Sequence, residues 1–387
     1  MYQSRLRRSF YCAWSPSGNH KNFMGSGEAH FLYLCNDYKA ESTMNLHEFA
    51  RRMPKTELHV HLEGSIRPAT LLQLARRNHV PLPAQDEDGL RDFYRFRDFP
   101  HFVQVYVTVT NCLRAIDDYA LVAYEFGSQC ARQNIRYAEV TFTIDTNVRI
   151  TGLPWQAILE GLNAGRAQAR AEFGLDWRWV FDISRDNPET QEQVLEIALA
   201  AREQDVVALG LGGTEAQFPP ELFEHTFARA KLAGLPRVPH AGETAGPASI
   251  WTALRQLHAD RIGHGVRCIE APALVEYLRE HQVPLEVCPT SNIRLGIYPD
   301  FAAHPLRHLW DAGLLITVAS DDPPMFGTDL NQEYAVLVDH FDFDIDELEQ
   351  VSLNGLRASF LPELEKARLE NEFRAEFAQL RAADESR

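Results

Sequence analysis

Four residues could together bind a divalent metal ion, because imidazole and carboxylate groups are common ligands of zinc and related metals. His59 and His61 are two positions apart, so on a strand both side chains would point to the same face. His240 and Asp321 each end a short apolar run much later in the chain. Three imidazoles and one carboxylate would leave a coordination position open for water, and a bound metal makes hydroxide available near neutral pH. These residue types predict metal-assisted hydrolysis or hydrolytic deamination.

Further polar residues beside these positions could supply acid–base chemistry. Glu243 follows His240 by three residues and could shuttle a proton. His264 lies between two glycines, which leave its imidazole free to orient a hydroxide and to stabilise developing charge. Asp321 and Asp322 are adjacent carboxylates that would repel each other unless a cation or a proton offsets one of them. Each motif taken singly is equally compatible with a core histidine, a capped loop or a helix start, and only their combination favours a catalytic site.

The elements that position these residues follow a regular alternation. Short apolar runs typical of strands are separated by longer amphipathic stretches, which include 155–173, 188–203, 248–257 and 271–280. This alternation predicts a parallel sheet with helical crossovers, and the length of the region matches a (β/α)₈ TIM barrel. A doubly wound open sheet is the alternative, although no Gly-x-Gly-x-x-Gly motif follows the first strand. The eight predicted strands are 57–62, 137–142, 178–181, 206–211, 237–240, 261–264, 284–288 and 315–320.

The segment 65–135 is too long for a single crossover helix and predicts a helical insertion after the first strand. It contains a group of aromatic residues between Phe93 and Phe102. In a barrel this insertion would cover the C-terminal mouth, where ligands bind, or it would form a small separate core. Two further helices, 344–361 and 364–380, are predicted to pack outside the barrel.

Composition limits the classes of partner. The 387 residues carry a formal charge of −16, which disfavours binding to nucleic acid. No run of 18 apolar residues occurs, so no membrane span is predicted. Six scattered cysteines favour a reducing, cytoplasmic location, while the oligomeric state stays open. Residues 1–43 are predicted to be a disordered extension, or to precede a true start at Met44, and 44–387 to form a single metal-dependent barrel domain.

Five segments resemble the adenosine and adenine deaminase family of the amidohydrolase superfamily, whose members are zinc enzymes on a (β/α)₈ barrel. The resemblance covers residues 50–360, approximately, and the motifs follow the family's order and spacing. The Pro-Cys-x-x-Cys signature of deaminases that act on nucleic acids is absent, so editing of tRNA or DNA is not expected. The resemblance implies a small 6-aminopurine substrate. The matching segments are 57–64, 240–243, 261–265, 288–292 and 320–323.

The resemblance implies a role for each matching residue. Glu243 would protonate purine N1, while His264 and Asp321 would position the attacking hydroxide at C6. Asp322 would hydrogen-bond N7, and the backbone amide of Gly213 would hydrogen-bond N3. No lysine lies between 206 and 217, where relatives with two metals carry a bridging lysine, so one zinc ion is expected. The implied zinc ligands are His59, His61, His240 and Asp321.

Glu63 bears on the choice of substrate, because adenosine deaminases usually carry an aspartate there that contacts the ribose 5′-hydroxyl. Glutamate at this position resembles adenine deaminases and the aminodeoxyfutalosine deaminases of menaquinone biosynthesis. Segments 96–102 and 321–330 look like the latter, which favours 6-amino-6-deoxyfutalosine over adenosine or adenine of purine salvage. A barrel that only binds ligands is disfavoured because every implied ligand is intact. Arg97 and Arg294 are the candidates for binding the benzoate of that substrate.

Overall fold

Eight strands run through the described part of the chain, residues 45–385 of a computed structural model. Each strand overlaps one of the eight predicted runs. The predicted extension 1–43 lies outside the described residues. The strands are β1 (Lys55–His61), β2 (Ile135–Phe142), β3 (Asp176–Ser184), β4 (Val206–Gly212), β5 (Arg237–Ala241), β6 (Ile262–His264), β7 (Leu285–Val287) and β8 (Ile316–Val318).

The strands form a parallel barrel, which confirms the predicted (β/α)₈ class and excludes the open sheet. Each strand pairs with the next in sequence from β1 to β8. The ends of β1 and β8 also meet, because the N–H of His61 donates to the carbonyl of Asp321 at 2.9 Å and the N–H of Asp321 to that of His59 at 3.0 Å. An open doubly wound sheet would instead reverse its strand order at a switch point. The carboxyl ends of all eight strands therefore surround one mouth.

Burial on both faces explains the near-continuous apolar sequence of the strands. All seven residues of β1 are buried, and β3 carries Trp177 and Trp179, both without solvent exposure. One face of each strand fills the barrel and the other packs under the surrounding helices. Burying a charged residue in such a strand is costly unless a partner offsets the charge. A group of charged residues near the mouth therefore indicates a site.

Helices surround the barrel, and the predicted helix 155–173 is observed at those bounds. Glycines let two of them approach closely, because a Cβ on Gly165 would lie 2.1 Å from the carbonyl oxygen of Ala120. The helices are α1 (Leu46–Arg52), α2 (Pro68–Asn78), α3 (Glu87–Phe93), α4 (Phe99–Thr110), α5 (Ile116–Arg132), α6 (Ile144–Thr151), α7 (Trp155–Phe173), α8 (Gln191–Ala200), α9 (Glu224–Leu232), α10 (Pro247–Arg255), α11 (Pro272–His281), α12 (Pro289–Arg294), α13 (Leu306–Asp311), α14 (Pro323–Phe326), α15 (Leu330–Phe341), α16 (Ile345–Ala358) and α17 (Glu363–Glu385).

The insertion after β1 contains α2 to α5, as the length of the segment predicts. Its aromatic group contacts the loop after β8: the ring of Phe102 stacks on that of Phe326 with centroids 5.3 Å apart, and Phe96 meets both rings edge-on. Aromatic pairs at such distances stabilise beyond the area they bury. The group therefore fixes α4 beside the barrel mouth.

The C-terminal helices lie outside the barrel, as predicted, and α16 covers the junction of β1 and β8. Asp344 and Glu347 form a capping box at its N-terminus. Ser352 donates to the carbonyl of Pro54 at 2.7 Å, and Asn354 to that of Ile316 at 3.0 Å. Among residues 45–385, no helix is both long and apolar enough to cross a membrane.

Candidate active site

The four predicted metal ligands converge at the carboxyl ends of β1, β5 and β8. Ligand atoms from His59, His61, His240 and Asp321 all lie within 4.8 Å of one another, and all four residues are buried. Asp321 Oδ1 lies 3.6 Å from His59 Nε2 and 3.4 Å from His61 Nε2. The two histidines of β1 share one face, as their spacing predicts. This donor set matches a mononuclear site of three imidazoles and one carboxylate.

The chemistry of the cluster fits a cation. Glu286 accepts a hydrogen bond from His59 Nδ1 at 2.8 Å, which leaves the buried Nε2 atom without a partner among the described residues. Such a carboxylate behind a histidine is the usual support of a metal ligand. Burial lowers the pKa of His59, but the nearby carboxylate of Asp321 and the hydrogen bond that Nδ1 donates to Glu286 outweigh burial and raise the pKa to about 10. A positive charge is therefore stable between these carboxylates, whether a proton or a metal carries it.

The other ligands are in the protonation states that a metal requires. Burial lowers the pKa of His61 to about 4 and holds that of His240 well below its ordinary value, so both imidazoles are neutral. Burial would raise the pKa of Asp321, yet the nearby imidazole of His59, which favours its protonated form, holds it well below the usual range. The cluster thus offers neutral nitrogens and an ionised carboxylate.

Backbone geometry and two glycines make room for this arrangement. Asp321 and His264 have φ values of 63° and 60°, in the left-handed region that residues with a Cβ rarely adopt. Strained positions of this kind concentrate at functional sites. A Cβ on Gly263 would lie 2.8 Å from His59 Cε1, and one on Gly64 would lie 1.6 Å from Asp322 Oδ1. Larger residues at either glycine would displace site side chains.

A chain of buried hydrogen bonds fixes which nitrogen of His264 carries its proton. The N–H of Leu306 donates to His304 Nδ1 at 3.2 Å, so neutral His304 carries its proton on Nε2 and donates to Asn292 Oδ1 at 3.0 Å. Asn292 Nδ2 then donates to His264 Nδ1 at 3.3 Å. Burial lowers the pKa of His304 to about 3 and that of His264 to about 4, so both rings are neutral. The Nε2–H of His264 therefore faces Asp321 Oδ2, 3.9 Å away.

Glu243 lies opposite this donor, with its Oε1 atom 3.6 Å from His264 Nε2. It is buried, and burial together with the charge of Asp321 raises its pKa to about 8. A carboxyl group with this pKa holds a proton near neutrality and can deliver it to a substrate nitrogen.

Glu215, which follows β4, holds the backbone of the loop that carries Glu243. One carboxylate oxygen accepts the N–H of Gly242 at 2.7 Å, and the other accepts those of Thr244 and Ala245 at 2.9 and 2.8 Å. The hydroxyl of Ser249 donates to the same oxygen as the N–H of Gly242, at 2.5 Å. Sequence reasoning did not single out Glu215, although its place two residues after the strand-end pair Gly212-Gly213 could have indicated it.

The predicted substrate-binding residues are placed at different depths. Asp322 and Gly213 line the cavity above the cluster, and burial plus the adjacent Asp321 charge raise the pKa of Asp322 well above its ordinary value. Glu63 lies behind the lining, where its Oε1 atom accepts from the N–H of Thr143 at 3.1 Å and from Asn147 Nδ2 at 2.8 Å. Its Oε2 atom is buried without a hydrogen-bond partner among the described residues.

A cavity of about 550 Å³ opens from the cluster to solvent, within the range typical of small-molecule sites. Residues of α4 line it, which confirms that the insertion covers the mouth. Arg97 and Arg294 lie outside this lining: Arg97 is exposed, and Arg294 donates to the carbonyl of Phe326 at 3.1 Å. Arg149 of α6 lines the cavity instead. No sequence signal distinguished Arg149, because its helix had not been predicted.

Asp182 is a further residue of the site that sequence reasoning missed. It lies near the end of β3 and lines the cavity, with its Oδ1 atom buried and unpartnered within the described chain. Burial raises the pKa of Asp182 to about 7. Its position could have indicated a site residue, because Asp182 directly follows the predicted strand 178–181, as the other candidates follow theirs.

Comparison with known proteins agrees with this geometry. The family model described as adenosine deaminase matches residues 54–376. The chain is 42% identical over 333 residues to the aminodeoxyfutalosine deaminase of Streptomyces avermitilis, covering 85% of this chain and 93% of that protein.

Two solved structures share the fold. The adenine deaminase of Arthrobacter aurescens superposes with a TM-score of 0.79 at 33% identity, covering 84% of this chain and 98% of that one. An amidohydrolase of Burkholderia ambifaria with bound Zn gives 0.81 at 28% identity, covering 88% and 95%. The site and these relatives together support a metal cofactor. The chain therefore belongs to the adenosine deaminase family and is a hydrolytic deaminase of adenine-type substrates.

Proposed function

We propose that this enzyme uses one zinc ion to deaminate 6-amino-6-deoxyfutalosine in menaquinone biosynthesis. The observation that carries the reaction is the placement of a proton-holding Glu243 opposite the buried cluster of three histidines and Asp321. The choice of substrate is supported by the 42% identity to an aminodeoxyfutalosine deaminase over most of both chains. A cavity of about 550 Å³ also has room for more than a purine base.

His59, His61, His240 and Asp321 would hold the zinc, which when bound supplies hydroxide at neutral pH. The protein's own groups do the rest. Glu243 delivers its proton to purine N1, which makes C6 more electrophilic. The Nε2–H of His264 and the carboxylate of Asp321 orient the attacking oxygen. The remaining proton of that oxygen passes to the amino group, the C6–N bond breaks to release ammonia, and C6 becomes a carbonyl carbon.

The purine is held by groups whose protonation suits its nitrogens. Asp322, whose raised pKa keeps a proton on the carboxyl group, donates to N7. The backbone amide of Gly213 donates to N3. Glu63 supports this wall from behind the lining, through Thr143 and Asn147.

Adenine or adenosine deamination in purine salvage is the second candidate, favoured by the similarity to the Arthrobacter adenine deaminase. The same catalytic residues would serve it, because all three substrates present the same amino-purine edge. The candidates differ only in what fills the outer part of the cavity.

Ammonia release by purified protein with a measured zinc content tests both candidates. We expect kcat/KM to be highest for 6-amino-6-deoxyfutalosine among that compound, adenosine and adenine. A preference for adenosine or adenine would assign the enzyme to purine salvage. Removal of the metal with a chelator should abolish activity, and stoichiometric Zn²⁺ should restore it.

A further inference from the structure

The cavity has two chemically different parts. Its inner end carries the histidines, Glu243 and both adjacent aspartates. The part nearer to solvent is walled mainly by apolar side chains, which we call the outer wall. A polar nucleoside alone would leave these side chains facing water, so the outer wall fits an apolar segment of a ligand. The outer wall consists of Phe99, Phe102, Val103, Val107, Ile150 and Leu295.

Arg149 adjoins Ile150 of the outer wall and also lines the cavity. Its side chain is 46% exposed, and its Nε atom lies 3.5 Å from Asp145 Oδ2. The Nη1 and Nη2 atoms donate only to neutral groups, Asn187 Oδ1 at 3.1 Å and Thr146 Oγ1 at 3.3 Å. A guanidinium has five N–H donors, so hydrogens on both Nη atoms are left for a ligand.

The other charged group at this end of the lining, Asp186, is hydrogen-bonded to Thr214 and forms no ion pair with Arg149 within the described residues. Asp186 Oδ1 accepts the hydroxyl of Thr214 at 2.7 Å, and its Oδ2 atom accepts the N–H of the same residue at 3.1 Å. Within the described lining, Arg149 is thus the cation available to an anionic ligand group, and Asn187 beside it adds an amide donor.

We propose that Arg149 binds a carboxylate at the far end of the substrate, beyond an apolar or aryl segment that lies on the outer wall. This inference rests on the proposed function, because it assumes that the 6-aminopurine occupies the inner end. It assigns to α6 the recognition of the group that distinguishes a carboxylate-bearing nucleoside from adenosine. Planar, forked donors suit a carboxylate, and one such contact is worth about ten- to a hundredfold in affinity.

The test compares 6-amino-6-deoxyfutalosine with its methyl ester, which removes the negative charge and adds one methyl group, on wild type and Arg149→Gln. We expect wild type to favour the acid over the ester by tenfold or more. Arg149→Gln should lose that preference through a ten- to hundredfold rise in KM for the acid, with kcat unchanged. A raised KM with an unchanged kcat is the sign that uniform binding has been removed. Adenosine carries no carboxylate for Arg149 to bind, so its KM should not show this rise.

Arg97→Gln is the matched control, because Arg97 is an exposed arginine outside the lining, and it should keep the preference for the acid. Binding of the two deaminated products, which keep the acid or the ester group, to zinc-loaded protein gives the same comparison by calorimetry without turnover. An acid preference that survives in Arg149→Gln, or that wild type lacks, would overturn the assignment. Faster deamination of adenosine or adenine than of either probe would instead overturn the proposed substrate, a separate outcome.

Discussion

At the scale of single residues, burial sets the protonation of the catalytic groups in opposite directions. The carboxyl group of Glu243 retains a proton near neutrality, whereas the ring of His264 is kept neutral. Because Asn292 donates to His264 Nδ1, the ring presents an N–H to the reacting centre. The surroundings of each group thus make Glu243 the acid and His264 the hydrogen-bond donor, as in other enzymes with paired titratable groups.

Replacing Glu243 with glutamine tests the proton donor. Glu243→Gln keeps the size of the side chain but cannot deliver a proton, so kcat should fall by about 10²–10⁴-fold while the zinc content stays at one per chain. Steady-state kinetics and metal analysis of the same preparation measure both quantities. Near-native kcat in this variant would remove Glu243 from the mechanism.

At the scale of elements, the loops after β4 and β5 are joined by one carboxylate. Glu215 lies after β4, and its carboxylate oxygens accept hydrogen bonds from the backbone of the loop that follows His240. Burial would raise the pKa of Glu215, but hydrogen bonds from Ala245, Ser249 and Gly242 outweigh it and lower the pKa. The resulting stabilisation is present above the ordinary glutamate pKa and is lost as the pH falls through the lowered value.

Glu215→Ala should therefore destabilise the fold and the site together. Several buried N–H donors would lose their acceptor, at a cost of about 3 kcal/mol or more in the free energy of unfolding, measured with urea at pH 7. Glu221 offers a control, because it is exposed and accepts a single bond from Thr252 at 2.8 Å, so Glu221→Ala should cost far less. Equal losses in the two variants would contradict the anchoring role.

At the scale of the whole molecule, a buried ionic network crosses the barrel. Arg261 pairs with Glu139 of β2 at 2.6 Å and with Glu286 of β7 at 2.5 Å, and Glu286 in turn holds His59 of β1. Arg261 also donates to the carbonyl of Ala358 at the end of α16, at 3.0 Å. The network thus connects strands on opposite sides, a C-terminal helix and a metal ligand.

Arg261→Met should leave two carboxylates buried without their cation. Breaking a buried pair in this way costs about 3–5 kcal/mol of stability, and the freed Glu286 should also weaken zinc binding. Urea unfolding and a competitive chelator titration measure the two effects. Arg279→Met removes an exposed pair with Glu276 and should change neither quantity. A stable Arg261→Met variant with unchanged zinc affinity would refute the coupling.

Local periodicity determined much of the fold and of the inner site from the sequence alone. Alternation of apolar runs and amphipathic stretches predicted eight strands, and the period of two put His59 and His61 on one face. His240, His264 and Asp321 were identified because parallel strands bring their carboxyl ends to one edge, wherever they lie in the chain. The physical reason is that the type of an element and the face that it buries depend on the spacing of apolar residues within a short stretch of sequence.

Only the tertiary structure decided which side chains away from the strand ends reach the cavity. Arg97 and Arg294 adjoin site segments in sequence, yet they lie outside the lining, whereas Arg149 on a helix after β2 lies within it. Glu215 and Glu286 act through bonds to residues 25 or more positions away. Such placements depend on how the barrel closes and how the helices pack. These are contacts between residues far apart in the chain, and nearness in sequence does not determine them.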